Sequence, residues 1–364
     1  MMRTAELTIT DVLTHRLVEP AFQPIVDLAG GGVVGVEALA RGPAGSALEF
    51  PDQLFAAGRE ASRLGELDML CCEQAIEGAA AAAAAPPLLF VNAEPGVLDQ
   101  PLSPRLLDLL RSGLPFRMVL EFTERALPAV PGSLLRIAGQ VQDWGNALAL
   151  DDVGVDPMSL AFLPIVEPEV IKLDMSLVRN PGDAHTRAVA TLVRSESRRT
   201  GAMVIAEGIE TEDDLSAARE LGAHWGQGWL FGRPGRLDQV VHDYRPQAAA
   251  ALRPPRPGFH RPVGTPFAIA AAHPSTATAD APAALAATTD SALVMVAGDA
   301  GGLRGLTEQA RSVITVEPIP GETTVVVMAE GRGVVTSTRG AHRVTSDHLP
   351  TAAACARILL SRSR

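Results

Sequence analysis

The chain has 364 residues, with 31 Lys+Arg against 42 Asp+Glu, a formal charge of −11 and a pI near 5.2, which excludes a general nucleic-acid coat. Hydrophobic residues make up 47% and charged residues 20%, a globular composition that predicts about two domains at roughly 150 residues each. Met1 to Asp11 lacks the continuous apolar core of a signal peptide, and no apolar stretch approaches the roughly 18 residues of a membrane span, so a soluble, cytoplasmic protein without membrane insertion is expected.

From residue 20 to 245 short β-rich runs alternate with longer helical stretches, the pattern of an α/β fold on parallel strands. The runs predict strands at 21–27, 33–38, 88–92, 117–122, 147–152, 170–174, 203–207 and 225–231. Helices are expected between them at 51–59, 62–84, 103–112, 133–144, 183–200 and 211–221, the Ala-rich run before Pro86 and Pro87 ending the second. Cys71, Cys72 and Cys355 are odd in number with two adjacent, which predicts reduced thiols rather than a disulfide framework. After Tyr244 the sequence turns Pro- and Arg-rich, which reads as a stiff linker over 246–266 between a barrel at 1–245 and a smaller α/β regulatory domain at 267–364. That second domain is expected to hold a helix at 280–289, strands at 292–296, 313–316, 323–328 and 333–336, and a closing helix at 351–361. His342 and His348 have no ligand-like partners around them and read as surface loop residues.

Glu37, Asn92, Glu121, Asp151, Asp152, Lys172, Glu207 and Gln227 each fall within or at the C-terminal end of a strand-like run. One such carboxylate is commonplace as a helix cap, but a series on successive strands is not. In a (β/α) barrel whose strands all point one way, these residues converge on a single mouth, where such barrels place their chemistry. Of the 31 basic residues only Lys172 is a lysine, and it lies inside the apolar run Val170-Ile171-Lys172-Leu173-Asp174, where a charge is costly unless it meets a polar pocket. Five carboxylates and one amide without thiolate or imidazole suit Mg²⁺ or Mn²⁺ rather than zinc, and adjacent aspartates allow one carboxylate to bridge two ions.

These residues sit in ordered blocks that resemble the EAL domain family. The blocks are Phe22-Gln23-Pro24-Ile25-Val26, Glu37-Ala38-Leu39 with Arg41, Val91-Asn92, Glu121-Phe122-Thr123-Glu124, Leu150-Asp151-Asp152-Val153-Gly154, Ile171-Lys172-Leu173-Asp174, Ala206-Glu207-Gly208-Ile209-Glu210, and Gln227-Gly228-Trp229 leading to Arg233-Pro234. The resemblance covers about residues 15–245. It implies a TIM-like barrel that hydrolyses one phosphodiester bond of cyclic di-GMP to linear pGpG with two divalent cations, and that forms a homodimer. Carried over by position, Glu37, Asn92, Glu121 and Asp151 would hold one metal, and Asp151 and Asp152 a second, with Glu207 beside it and the attacking water. Lys172, beside Asp174, would orient or activate that water. Gln23 and Arg41 would contact substrate, Glu210 and Gln227 would support the pocket, and Glu124 would brace the loop after Asp152.

The sequence departs from the family pattern mainly in that loop. Where the family has Phe-Gly-Thr-Gly-Tyr-Ser-Ser, this chain reads Val153-Gly154-Val155-Asp156-Pro157-Met158-Ser159. Two functions follow: an active phosphodiesterase modulated by its second domain, or a catalytically weak receptor for cyclic di-GMP or a protein partner. The second domain weakly resembles DICT-type sensory domains through its apolar strands and final helix, with an unknown signal as its input.

Overall fold

Apolar runs three to nine residues long, with few polar interruptions, make strands that are largely buried on both faces. The computed structural model describes residues 7–94, 100–123, 130–156, 158–241, 243–245, 247–278, 280–288, 292–298 and 312–362. Eight of these runs close into a barrel in sequence order: β1 (Glu19–Asp27), β2 (Val33–Arg41), β3 (Leu88–Asn92), β4 (Arg117–Thr123), β5 (Ala147–Val153), β6 (Val170–Leu173), β7 (Met203–Ala206) and β8 (Trp225–Gln227). Neighbours from β2 to β8 are parallel. The expectation that all strands run one way fails at β1, which is antiparallel to both β2 and β8 and places Gln23 opposite Glu37. A tight turn joins β1 directly to β2, so no crossover helix is there to make them parallel. The last strand stops at Gln227 rather than running to 231, because Gly228 brings its backbone so close to that of Ile209 that no Cβ would fit.

Around the barrel lie α1 (Ile9–His15), α2 (Pro51–Glu60), α3 (Leu64–Ala80), α4 (Pro104–Arg111), α5 (Pro131–Asp143), α6 (Met158–Val166), α7 (Met175–Arg179), α8 (Ala184–Thr200) and α9 (Glu212–Leu221). The expected helices are present with ends moved by a few residues. Helices α1, α6 and α7 carry no sequence expectation above. Thr8 and Asp11 form a reciprocal capping box that starts α1. Helix α6 has no polar face, and all its described side chains are buried, which marks a helix covered on every side.

Residues 247–265, expected as a linker, are packed against the barrel. After α10 (Leu237–Val240), α11 (Ala248–Ala251) sends Ala248 into the same apolar cluster as Ile25, Phe90 and Val119 inside the barrel, joined by Leu252. Arg117 at the start of β4 donates to the Arg253 carbonyl at 3.0 Å, and Arg253 pairs with Glu169, just before β6, at 2.8 Å. The strap therefore closes the end of the barrel opposite the strand C-termini. Its His260 is fully buried, with Nε2 donating to the Val166 carbonyl at 2.8 Å.

Burial pushes the His260 imidazole down to about 4. The unfolded imidazole takes up its proton near 6.5, so across this window the unfolded state binds more protons and stability falls as pH falls, by up to about 3 kcal/mol. Melting curves of wild type and His260→Gln at pH 7 and pH 4.5 check this. The wild type is expected to lose more stability than the variant, and equal losses count against it.

The C-terminal domain comprises α12 (Pro266–Ala272), α13 (Ala281–Ala286), β9 (Leu293–Ala297), β10 (Ser312–Val316), β11 (Glu322–Ala329), β12 (Arg332–Arg339), β13 (His342–Ser346) and α14 (Leu349–Leu360). Its sheet has the order β10-β9-β11-β12-β13, with only the β10–β9 pair parallel. Strand alternation divides the core. Val294, Val296, Val325 and Val327 meet Leu285 of α13, whereas Leu293, Met295, Val326 and Met328 join Cys355 and Leu359 of α14 and Phe162 and Ile165 of α6 in one apolar cluster. Of the two histidines expected on surface loops, His348 lies in the exposed loop before α14, stacked on His273 with ring centroids 5.0 Å apart, whereas His342, also exposed, opens β13. The residue 289 end of the expected 280–289 helix and residue 246 of the expected linker lie outside the described residues. All three cysteines are free thiols, as expected.

Candidate active site

Each parallel strand contributes an apolar body and a polar residue toward its C-terminal end, and barrel closure brings those polar residues together. Lys172 of β6, 1% exposed, is the centre. Its Nζ lies 2.8 Å from Glu207, 2.9 Å from Glu121, 3.2 Å from Asp151 and 3.3 Å from Glu37. The lone lysine thus has the polar pocket that its apolar run requires. Burial alone would lower the ammonium, but Asp151, Glu121, Glu207 and Glu37 together hold it well above its ordinary value.

One ammonium does not satisfy four carboxylates. Burial raises Asp151 and pushes Glu207 up to about 8, and burial together with neighbouring Glu37 holds Glu121 well above the carboxylate range. Glu37 goes the other way: burial is outweighed by Lys172 and by hydrogen bonds from Gln227 and Asn92. Those amides donate to Glu37 at 2.7 Å and 2.8 Å, and Gln227 also donates to Gln23 at 3.0 Å. Gln23 in turn donates to the Gly232 carbonyl at 3.1 Å, which fixes the loop after β8.

The donor set fits divalent metal. Asp151, Asp152 and Glu207 each offer a carboxylate oxygen within 4.8 Å of the others, and the buried Glu121 Oε2 has no hydrogen-bond partner among the described residues. Hard oxygens, excess negative charge and an unsatisfied buried lone pair are what a small divalent cation would complete. Asp152 is held at φ 56°, a backbone region uncommon outside glycine, so its carboxylate direction is imposed by the surrounding loop.

A cavity of about 820 Å³ opens over Glu37, Asn92 and Asp152 and extends to Phe55, Arg59 and Asp68. The volume suits a ligand of two nucleotides. Asp68 of α3 is a wall residue that sequence reasoning missed. It accepts a hydrogen bond from the Glu94 amide at 3.2 Å, and burial pushes its carboxyl up to about 7. Nothing local marked it, since a single Asp in an amphipathic helix carries no signal of its own.

Other expected residues stand apart from this centre. Arg41 lies at the end of β2, half-buried, donating to the Ala40 carbonyl at 2.8 Å. Asp174 caps α7 by accepting from the Ser176 amide at 2.9 Å. The strand ends one residue before it and its side chain turns to the helix. Glu210 pairs with Arg179 at 2.8 Å on the rim rather than lining the cavity. Glu124 lies outside the described residues, as does Pro157 of the altered loop.

Comparisons with known proteins agree with this geometry. Over 231 residues the chain is 31% identical to a probable cyclic di-GMP phosphodiesterase, PdeB, of Escherichia coli strain K12, covering 61% of this chain and 44% of that protein. Over 225 residues it is 30% identical to the cyclic di-GMP phosphodiesterase RocR of Pseudomonas aeruginosa, covering 59% of this chain and 57% of the relative. The chain thus spans about half the length of these two relatives. Among solved structures, BlrP1 of Klebsiella pneumoniae in a manganese and cyclic di-GMP complex is 28% identical with a TM-score of 0.52, over 60% of this chain and 56% of that one. YkuI of Bacillus subtilis, in complex with cyclic di-GMP and calcium, is 25% identical with a TM-score of 0.54, over 63% of this chain and 58% of that one. The EAL domain profile matches residues 7–234, the stretch that builds the barrel and every carboxylate around Lys172, and the chain belongs to the EAL domain family.

Proposed function

We infer that this protein hydrolyses cyclic di-GMP to linear pGpG. The observation that carries the reading is the closed constellation of Glu37, Glu121, Asp151 and Glu207 on Lys172, whose Glu37 also lines, with Asn92 and Asp152, a cavity large enough for a dinucleotide. The reading is supported by two relatives, a cyclic di-GMP phosphodiesterase and a probable one, and by two related structures in complex with cyclic di-GMP and manganese or calcium.

In this reading Glu37, Asn92, Glu121 and Asp151 would hold one Mg²⁺ or Mn²⁺, and Asp151, Asp152 and Glu207 would hold a second. When bound, two such ions polarise the phosphoryl oxygens and acidify water. The chain's own groups do the rest. Glu207 accepts a proton from the attacking water, and the Lys172 ammonium orients that water and offsets charge growing on phosphate. The water oxygen bonds to phosphorus, the P–O3′ bond breaks, and the departing ribose oxygen takes up a proton to give pGpG. Phe55 offers a face for a base, Arg59 and Arg41 can meet phosphate, and Asp68 can hydrogen-bond the N–H edge of guanine.

Incubation of the purified chain with cyclic di-GMP and Mn²⁺, followed by chromatography, tests the reading. Metal-dependent pGpG is expected from wild type, and Glu37→Ala should lower its rate by at least about 10²-fold. Equal rates in the two proteins would remove the assignment. The altered loop at 153–159 supports one other reading, a receptor that binds the dinucleotide without turnover, and binding by folded wild type with no product would favour it.

A further inference from the structure

The last turn of α6 leaves its backbone carbonyls without helical partners, and in water such groups would be hydrated. Here all four at the end are taken by side chains from far along the sequence. Arg357 of α14 donates from Nε to the Ile165 carbonyl at 2.7 Å and from Nη2 to the Pro164 carbonyl at 3.0 Å. His260 takes the Val166 carbonyl at 2.8 Å, and Arg256 the Glu167 carbonyl at 3.2 Å, together with Arg253. The Glu167 carboxylate binds Arg256 at 2.6 Å and Arg199 at 2.8 Å, and the Phe259 ring lies between the guanidinium groups of Arg256 and Arg357, 3.5 Å and 3.8 Å from their central carbons. Guanidinium groups at a helix C-terminus also complement its dipole.

The opposite end of α6 reaches the metal-type carboxylates through a short loop. Met158, its first residue, donates its amide to the Asp156 carboxylate at 2.9 Å, and the Val155 amide donates to the Asp152 carbonyl at 3.3 Å. His185 fixes the Gly154 carbonyl at 2.8 Å from the side of α8. Asp152, in its left-handed backbone conformation, is therefore set by a loop whose far anchor is α6, and α6 is held jointly by the strap and by Arg357 of the C-terminal domain.

We propose that Arg357 is a positioning residue for Asp151 and Asp152: it fixes the end of α6, and α6 fixes the loop that aims the two carboxylates. The domain at 267–364 thereby sets the metal affinity of the barrel. This rests on the reading of the site as a divalent-metal phosphodiesterase, and goes beyond it by naming the residue and the path. Mutation of groups that orient metal ligands typically weakens metal binding by 10–100-fold.

The test compares full-length wild type, Arg357→Met and Arg357→Lys by amide hydrogen exchange and by Mn²⁺ titration. Arg357→Met is expected to speed exchange over 152–166 by about tenfold and to weaken Mn²⁺ binding by about tenfold, while α3 and α4 exchange as in wild type. Arg357→Lys, with an ammonium able to meet one carbonyl, should restore part of both. Exchange that rises in α14 alone, with the loop and Mn²⁺ affinity at wild-type values, would overturn the proposal and leave Arg357 a docking residue only. If Arg357→Met does not fold, Phe259→Ala, which loosens the same guanidinium from the strap, gives the same readouts. Wild type that yields no pGpG would defeat the phosphodiesterase reading, while the exchange data would still decide this one.

Discussion

Lys172→Met should leave a folded protein that has lost hydrolysis of cyclic di-GMP by on the order of 10²–10³-fold. Methionine matches the length and apolar stem of lysine but removes the charge that lies within 3.3 Å of four carboxylates. Those carboxylates then repel one another and take up protons, so water is no longer oriented and charge on the phosphate is no longer offset. Lys172→Arg should not rescue the rate, because a planar fork is larger than the 1%-exposed slot and cannot point one compact cation at all four oxygens. Rates of pGpG formation at saturating Mn²⁺ check both variants. A rate within a few-fold of wild type in Lys172→Met would show that the ammonium only holds the fold together.

The largest loss of stability is expected at the other end of the barrel. Glu169 is fully buried, accepts from Gln142 at 2.8 Å and from the Leu148 amide at 2.9 Å, and pairs with Arg253 of the strap at 2.8 Å. Glu169→Ala leaves the mostly buried Arg253 guanidinium without its carboxylate, with only the Thr200 and Glu167 carbonyls to meet it, and should cost about 3 kcal/mol. The double variant Glu169→Leu with Arg253→Leu should recover much of that, because the stranded charge goes with its partner. Urea unfolding of the single and double variants decides it. A cost under about 1 kcal/mol for Glu169→Ala would mean that water reaches the pair.

The barrel and the carboxylate cluster around its lysine were legible in sequence for one physical reason. A strand buried on both faces has no place for a charge except where it meets the mouth, so Glu37, Glu121, Asp151 and Lys172 identified themselves against their apolar neighbours. Asp174 was less legible, because a polar residue just past a strand and one that caps the next helix look alike in sequence, and it caps α7. The strap was read from Pro and Arg content as a linker, but its arginines find partners such as Glu167 and Glu169 more than eighty residues earlier, which no local pattern reveals. The direction of β1 was also hidden, since antiparallel and parallel strands of a closed barrel share the same apolar alphabet.

Helix α6 has a consequence for the history of the chain. A barrel that met water all round would need polar residues along the outer face of that helix, yet Leu160, Phe162, Leu163, Ile165 and Val166 are all buried. Recombination that moved this barrel next to an unrelated neighbour would expose a greasy stripe and invite aggregation. The two halves are thus bound to evolve as one cassette, each substitution on α6 answered across the boundary by α14 or β11.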